Sequence, residues 1–325
     1  MNYYFILTDK CNYHCDFCIR SNVSASIKGN MDYITFCKVA DSIHCAHPEA
    51  TITLTGGEPT LHPDFRAIID YSSHTFKRVC LTSNGGFDNK IALFLKKYMQ
   101  KNLFVQISID GTKEYHNALR GNYAFEKAIS NIELFSDVWS HVVLSTTVGR
   151  KGFEEAKKLA LYLNNLHFHH WKISQEQVAT PTKATIIPTE EWNNFVDSLL
   201  PLCHYRITIK KMFAFDIWQS YMDHCEDIDA SNIARNCAIG KGKVYITPEF
   251  DVLPCTCMDN TCGNLLVEKF EVIKDRLEQM SMINPDVSSV CFKCKYKQIC
   301  NGGCPGYSMK VFNKLNMGDI RCPLL

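Results

Sequence analysis

The sequence is short of the features that mark a nucleic-acid-binding or membrane protein. Its 35 Lys and Arg nearly cancel 34 Asp and Glu, leaving a formal charge of +1, so no basic field draws in a phosphate backbone or an anionic bilayer. No apolar run approaches the ~18 residues that suggest a spanning helix. The N-terminus lacks a basic stretch followed by an apolar core and a small-residue cleavage site, so it does not read as a secretory signal. Low-complexity tracts and long blocks of like charge are absent too, which argues against extended disorder. These absences leave a globular, cytoplasmic protein, with neither nucleic acid nor membrane among its partners. At 325 residues and 46% apolar, the chain has material for one large unit and a smaller one.

What is present in excess is cysteine, 17 residues in all. In a reducing compartment such a number points to metal ligation rather than disulfides. The distribution is uneven. One compact run stands near the start, Cys11-x3-Cys15-x2-Cys18, while Cys225, Cys237, Cys255, Cys257, Cys262, Cys291, Cys294, Cys300, Cys304 and Cys322 all follow residue 220. Cys37, Cys45, Cys80 and Cys203 sit in helical or apolar contexts and read as small buried hydrophobes.

From the start to about residue 200, apolar runs of strand length alternate with segments of helical period, the pattern of parallel α/β folding. Strands are expected near 3–8, 51–55, 78–82, 104–109, 142–148 and 169–173. Helices are expected near 34–44, 65–72, 90–99, 126–135, 154–163 and 190–200. Six such units predict an open, partial (β/α)6 TIM barrel at residues 1–215, followed by a cysteine-rich domain at 216–325. In βα barrels the chemistry lies in the loops after the strands. The first cysteine run follows the first strand, and three further motifs occupy equivalent places.

After the second strand comes Gly56-Gly57-Glu58-Pro59; alone, a Gly-Gly before Pro is more often a plain turn. After the third stand Ser83, Asn84 and two glycines. After the fourth come Ser108, Asp110-Gly111, His116 and Arg120. Asp110-Gly111 also fits an ordinary turn, and Arg120 a surface cation. Thr146 and Val148, ending the fifth strand, suit either a ligand wall or the core, and His169-His170-Trp171 fits a strand of alternating burial. A tetrahedral zinc site or a four-iron cluster takes four protein ligands. Three thiols therefore leave one metal corner open, unless a distant residue completes a zinc loop.

Taken in order, these motifs resemble the radical S-adenosylmethionine (SAM) family. The resemblance implies that Cys11, Cys15 and Cys18 hold a [4Fe-4S] cluster whose fourth iron SAM chelates. It makes Gly56, Gly57 and Glu58 the SAM amino-group motif. Phe17, Ser83, Asn84, Ser108, Asp110, Arg120 and Thr146 become further SAM contacts, with Arg120 suited to a bidentate pair with the carboxylate and Thr146 flanking the adenine. The C-terminal spacing, Cys291-x2-Cys294-x5-Cys300-x3-Cys304 and then Cys322, is similar to the SPASM extension of that family. By resemblance Cys291, Cys294, Cys300 and Cys322 hold one auxiliary [4Fe-4S] cluster, and Cys304 joins Cys237 and Cys255 on another, with Cys225 its expected fourth ligand unless that iron is open. By spacing alone, seven thiols could also build two zinc sites, a reading that the first cysteine run disfavours. The family pattern has a Gly where Phe250 stands, so the turn inside the hairpin ending at Cys255 is expected to be built differently. Cys257 and Cys262 are spare thiols and weak candidates for a hydrogen-atom donor.

The implied activity is reductive cleavage of SAM to a 5′-deoxyadenosyl radical that abstracts hydrogen from an unactivated C–H bond. The implied cofactors are SAM and three [4Fe-4S] clusters, and the implied electron donor is a flavodoxin or ferredoxin. The expected substrate is a ribosomally made peptide that is crosslinked, given a thioether or epimerised. Dehydrogenation or rearrangement of a small molecule is the alternative, and formylglycine-type oxidation ranks lower because Thr256 stands where the sulfatase maturases carry Asp. With ten residues ahead of Cys11, a separate leader-peptide-binding protein is one expected partner.

Overall fold

The computed structural model describes residues 1–22, 28–224, 237, 239, 242–281 and 283–325. Nine strands form one sheet: β1 (Asn2–Ile6), β2 (Thr51–Thr55), β3 (Arg78–Ser83), β4 (Leu103–Ser108), β5 (Val142–Val148), β6 (His170–Gln175), β7 (Ile207–Thr208), β8 (Lys243–Ile246) and β9 (Val252–Leu253). Their order is β7-β6-β5-β4-β3-β2-β1-β8-β9. Every pairing is parallel except that of β8 with β9. The six expected strands are all present. Short β7 and the docking of β8 along β1 were not foreseen.

Helices cover one face of the sheet, and the strand sequences show why. Val79 and Leu81, Val105 and Ile107, and Leu144 and Val148 are buried at alternate positions, and join helix residues such as Ile68, Ile69, Leu95, Ile132 and Leu159 in one core. Alternation at period two leaves Tyr4, Cys80, Gln106, Ser108, Ser145, Thr147, Lys172 and Ser174 on the other face, the lumen. The helices Tyr33–Ala46 and Asn89–Met99 start where Asp32 and Asp88 accept the Thr35 and Ile91 amides at 2.8 and 2.9 Å, caps worth about 1 kcal/mol each. A helix at Lys113–Arg120 escaped the sequence reading because KEYHNALR carries no apolar stripe.

The C-terminal region shares this core. Tyr4 and Tyr245 stack at 4.7 Å between β1 and β8. Phe270, Ile273 and Leu277 of the helix Phe270–Ser281 pack into the main cluster, with Phe270 edge-on to Tyr3 at 5.2 Å. We therefore keep 1–215 and 216–325 as proposed units joined by a common core. The hairpin turn corrects one expectation. Phe250 takes φ +66°, the left-handed conformation that favours glycine, so the turn keeps its shape with a phenylalanine in it. Strain of about 1–2 kcal/mol is offset by burying the ring, which is 3% exposed. No helix among the described residues is long and apolar enough to cross a membrane.

Candidate active site

The ends of β1, β2 and β3 carry three loops that are locked together by backbone contacts. Gly57 N–H donates to Thr8 O and Glu58 N–H to Lys10 O, both at 2.7 Å. A Cβ on Gly56 would stand 2.6 Å from Thr8 O, and one on Gly57 would stand 2.7 Å from Asp9 O. Only glycine lets the second loop lie so close against the start of the cysteine run.

Glu58 is the centre of this arrangement and is 0% exposed. Its Oε1 accepts Thr60 N–H at 3.2 Å, Thr60 Oγ1 at 2.7 Å and Ser83 Oγ at 2.9 Å; its Oε2 accepts Asn84 N–H at 2.8 Å. Burial raises its pKa while the four donors oppose the rise. Asn84 carries the link to the metal loop: its Nδ2 donates to Asn12 Oδ1 at 2.7 Å and lies 3.8 Å from Cys11 Sγ. Its Oδ1 accepts Gly86 N–H at 2.7 Å. Gly85 holds φ +77° with Ile107 2.7 Å from where a Cβ would be, so this turn too demands glycine. The Glu58 carboxylate is thus engaged by protein donors that tie the second loop to the third.

Cys11, Cys15 and Cys18 lie within mutual electrostatic reach. Partial desolvation raises the thiol pKa of Cys11, which is still exposed, and pushes Cys15 up to about 11 against the pull of Arg120. No group of three or more His, Cys, Asp or Glu among the described residues closes around a single ion. In a four-iron cluster each thiolate binds its own iron, so the donors stand wider apart. The donor set fits such a cluster: three soft thiols together, with the nearby carboxylates of Glu58 and Asp110 already engaged.

Arg120 is not the surface cation that its sequence context also allows. Arg120 Nε donates to Asp110 Oδ2 at 2.5 Å, with side-chain exposures of 10% and 0%, and Asp110 Oδ1 accepts Thr147 N–H at 2.9 Å. The pair lies beside the cysteine run, with the Arg120 guanidinium 5.3 Å from the Phe17 ring centroid. Asp110 N–H donates to His116 Nδ1 at 3.0 Å, which places the imidazole proton on Nε2, a buried atom with no partner among the described residues. Desolvation lowers the pKa of His116 to about 4.

Thr146 is a second correction. It is 1% exposed, donates to Ile109 O and accepts Trp171 Nε1 at 2.7 Å, so it faces the helix layer. Its neighbours Ser145 and Thr147, with Ser108, face the lumen, as the period of two requires. His170 and Trp171 are buried. The sequence reading missed Arg20, two residues beyond Cys18, whose buried NH1 has no partner among the described residues.

The C-terminal thiols form two neighbourhoods. Cys322 is within electrostatic reach of Cys291 and Cys294, and Cys294, Cys300 and Cys322 border the small cluster of Phe213, Trp218, Tyr296 and Ile299. Cys304 is instead near Cys237, which is near Cys255. Cys225 lies outside the described residues. Buried Asp319 accepts Cys304 N–H at 3.1 Å and pairs with Arg321 at 2.7 Å. Arg321 also stacks on Tyr307 and donates to Gln175 Oε1 at 2.8 Å, at the end of β6. These bonds fasten the second thiol neighbourhood to the barrel mouth.

A parallel sheet bearing a three-thiol loop at its mouth defines a class, and the comparisons agree. Residues 5–163 match the model of the radical SAM superfamily; this stretch is a radical SAM domain, which implies an enzyme that uses SAM and a [4Fe-4S] cluster. The antilisterial bacteriocin subtilosin biosynthesis protein AlbA of Bacillus subtilis is 26% identical over 331 residues, covering 96% of this chain and 69% of that protein. The AdoMet-dependent heme synthase of Oleidesulfovibrio alaskensis is 24% identical over 319 residues, covering 92% and 80%. The crystal structure of Streptococcus suis SuiB bound to precursor peptide SuiA shares the fold, with a TM-score of 0.79 at 14% identity over 99% of this chain and 75% of that one.

Proposed function

We propose that this enzyme modifies a ribosomally made peptide, using the SAM-binding cluster and two auxiliary [4Fe-4S] clusters. The observation that carries the reading is the similarity to AlbA, a bacteriocin biosynthesis protein, along 96% of the chain. It runs through both thiol neighbourhoods of the C-terminal region. When bound, SAM and its cluster supply the 5′-deoxyadenosyl radical that takes a hydrogen atom from a C–H bond.

The chain's own residues do the rest. Cys11, Cys15 and Cys18 would hold the first cluster, and Asn84 donates toward the Cys11 sulfur. Glu58 fixes the loop of Gly56 and Gly57 against the cysteine run, so that its backbone meets the SAM amino group. Asp110 aims Arg120 at the same region, while Ser108, Ser145 and Thr147 offer hydroxyls on the lumen face. Cys291, Cys294, Cys300 and Cys322 would hold one auxiliary cluster, and Cys237, Cys255 and Cys304 the other. A flavodoxin or ferredoxin is the proposed electron donor.

A second reading, chemistry on a small carboxylate-bearing molecule, has one observation in its favour. Arg78, Lys172 and Lys243 gather at the lumen and form no ion pair among the described residues. Arg78 and Lys243 both bear on Lys172, although β6 and β8 stand six strand spacings apart, ~29 Å in a flat sheet. The sheet curls to bring them together.

The test is anaerobic turnover of the reconstituted protein with SAM, reductant and synthetic peptides encoded beside its gene, in deuterated water. Loss of two hydrogens from the peptide means crosslinking or dehydrogenation, and gain of one deuteron means epimerisation. Unchanged peptide mass while 5′-deoxyadenosine accumulates overturns the peptide reading. Lys172→Met then tests the second one, through weaker binding of a dicarboxylate such as glutarate.

A further inference from the structure

Cys257 belongs to neither expected ligand set, yet its surroundings single it out. It is buried, at 8% exposure. Its N–H donates to Cys255 Sγ at 3.4 Å, so both cysteines flank one turn. A Cβ built on Gly306 would stand 3.1 Å from Cys257 Cβ and 3.6 Å from Cys304 Sγ, which sets Cys257 and Cys304 against the same short stretch of backbone. Cys237 completes the group through its proximity to Cys255 and Cys304. We propose that Cys257 is the fourth ligand of the auxiliary cluster held by Cys237, Cys255 and Cys304. The inference rests on the three-cluster reading above.

The chemistry follows from what an open iron corner requires. Three thiolates leave one iron without a protein ligand, and among the described residues Cys257 is a soft donor placed beside two of those thiols. A coordinating thiol is deprotonated outright, so burial that keeps the free thiol neutral does not prevent ligation. The thiol's present partner is Gln177 Oε1 at 3.3 Å. A thiol is a weak donor, and giving up this contact costs little. The other spare thiol is placed differently: Cys262 lies 3.5 Å from the Met280 sulfur and packs in the main core. Gln177 lies two residues beyond the end of β6, so a Cys257-ligated iron stands at the barrel mouth. Arg20 of the first metal loop is within electrostatic reach of the same thiol. A fully ligated cluster there has no iron to offer a substrate.

The experiment is iron and sulfide analysis with EPR and Mössbauer spectroscopy of the reconstituted full chain, with sodium cyanide as the probe for an open iron. Wild-type protein is expected to hold about 12 iron and to show no cyanide-induced change in its auxiliary signals. Cys257→Ala should alter one auxiliary signal, which cyanide then shifts further, while Cys225→Ala matches wild type. Cys257→Ser, closer in size than alanine, should also alter that auxiliary signal, through oxygen in place of sulfur, if the alanine variant folds poorly. Identical spectra for wild type and both Cys257 variants overturn the inference, as does the change appearing in Cys225→Ala instead. Wild-type protein with about 4 iron removes the three-cluster reading itself, and this is seen before any variant is made.

Discussion

Glu58→Ala is the substitution whose outcome the structure specifies most fully. The carboxylate is fully buried and receives two donors from Thr60 and one each from Ser83 and Asn84. Removing it strands the Asn84 amide in a dry pocket at a cost of about 1–3 kcal/mol. The Ser83 and Thr60 hydroxyls can turn to other acceptors, but the emptied space adds a cavity term, and the total comes to about 3–5 kcal/mol. Unfolding entropy near 2 cal/mol/K per residue over 325 residues converts this to a Tm lower by roughly 5–7 °C. Glu58→Gln keeps the shape without the charge and should cost less, about 1–2 kcal/mol, because one amide face meets a donor. The functional consequence lies in the loops. With the Asn84 turn uncoupled, the Cys11 loop loses its register, so iron loading and SAM affinity fall with the Tm. Differential scanning calorimetry, iron analysis and SAM titration measure all three. A Glu58→Ala protein that melts within 1 °C of wild type, with full iron and unchanged SAM affinity, would refute the reasoning.

Arg120→Met should cost about 3–5 kcal/mol by leaving Asp110 buried and unpaired. Arg120→Met with Asp110→Asn should recover much of that loss, as a double-mutant cycle from chemical denaturation will show. His116 and His170 both have folded-state pKa values lowered to about 4 by burial, so the unfolded chain takes up the proton first. Stability is full above pH 6.5 and falls as pH drops toward 4, by up to about 3 kcal/mol per histidine; His116→Gln with His170→Gln should flatten that slope in urea unfolding measured across pH. Phe250→Gly relieves the positive φ but forfeits the buried ring, so it should destabilise by about 1–2 kcal/mol, and Phe250→Ala by about 1 kcal/mol more. Equal denaturation midpoints for the two variants would contradict the strained turn.

The sequence by itself determined the strands, the main helices and the order of the motifs. Each of these is local: a period of two or 3.6 names an element, and a fixed spacing of thiols on one loop names its chemistry. Which side chains point where was another matter. Thr146 and Thr147 are equally plausible from sequence, but a strand sends neighbours to opposite faces, and only packing against Trp171 decides which one leaves the lumen. Arg120 reads equally as a surface cation until the fold places Asp110 against it, and no local pattern tells that Ser83 and Asn84, 25 and 26 residues later, donate to the Glu58 carboxylate. The docking of β8 on β1 joins residues some 240 apart, and no local pattern encodes it. Phe250 marks the boundary between the two kinds of information: its sequence argues against a glycine-type turn, and burial in the shared core holds it in one.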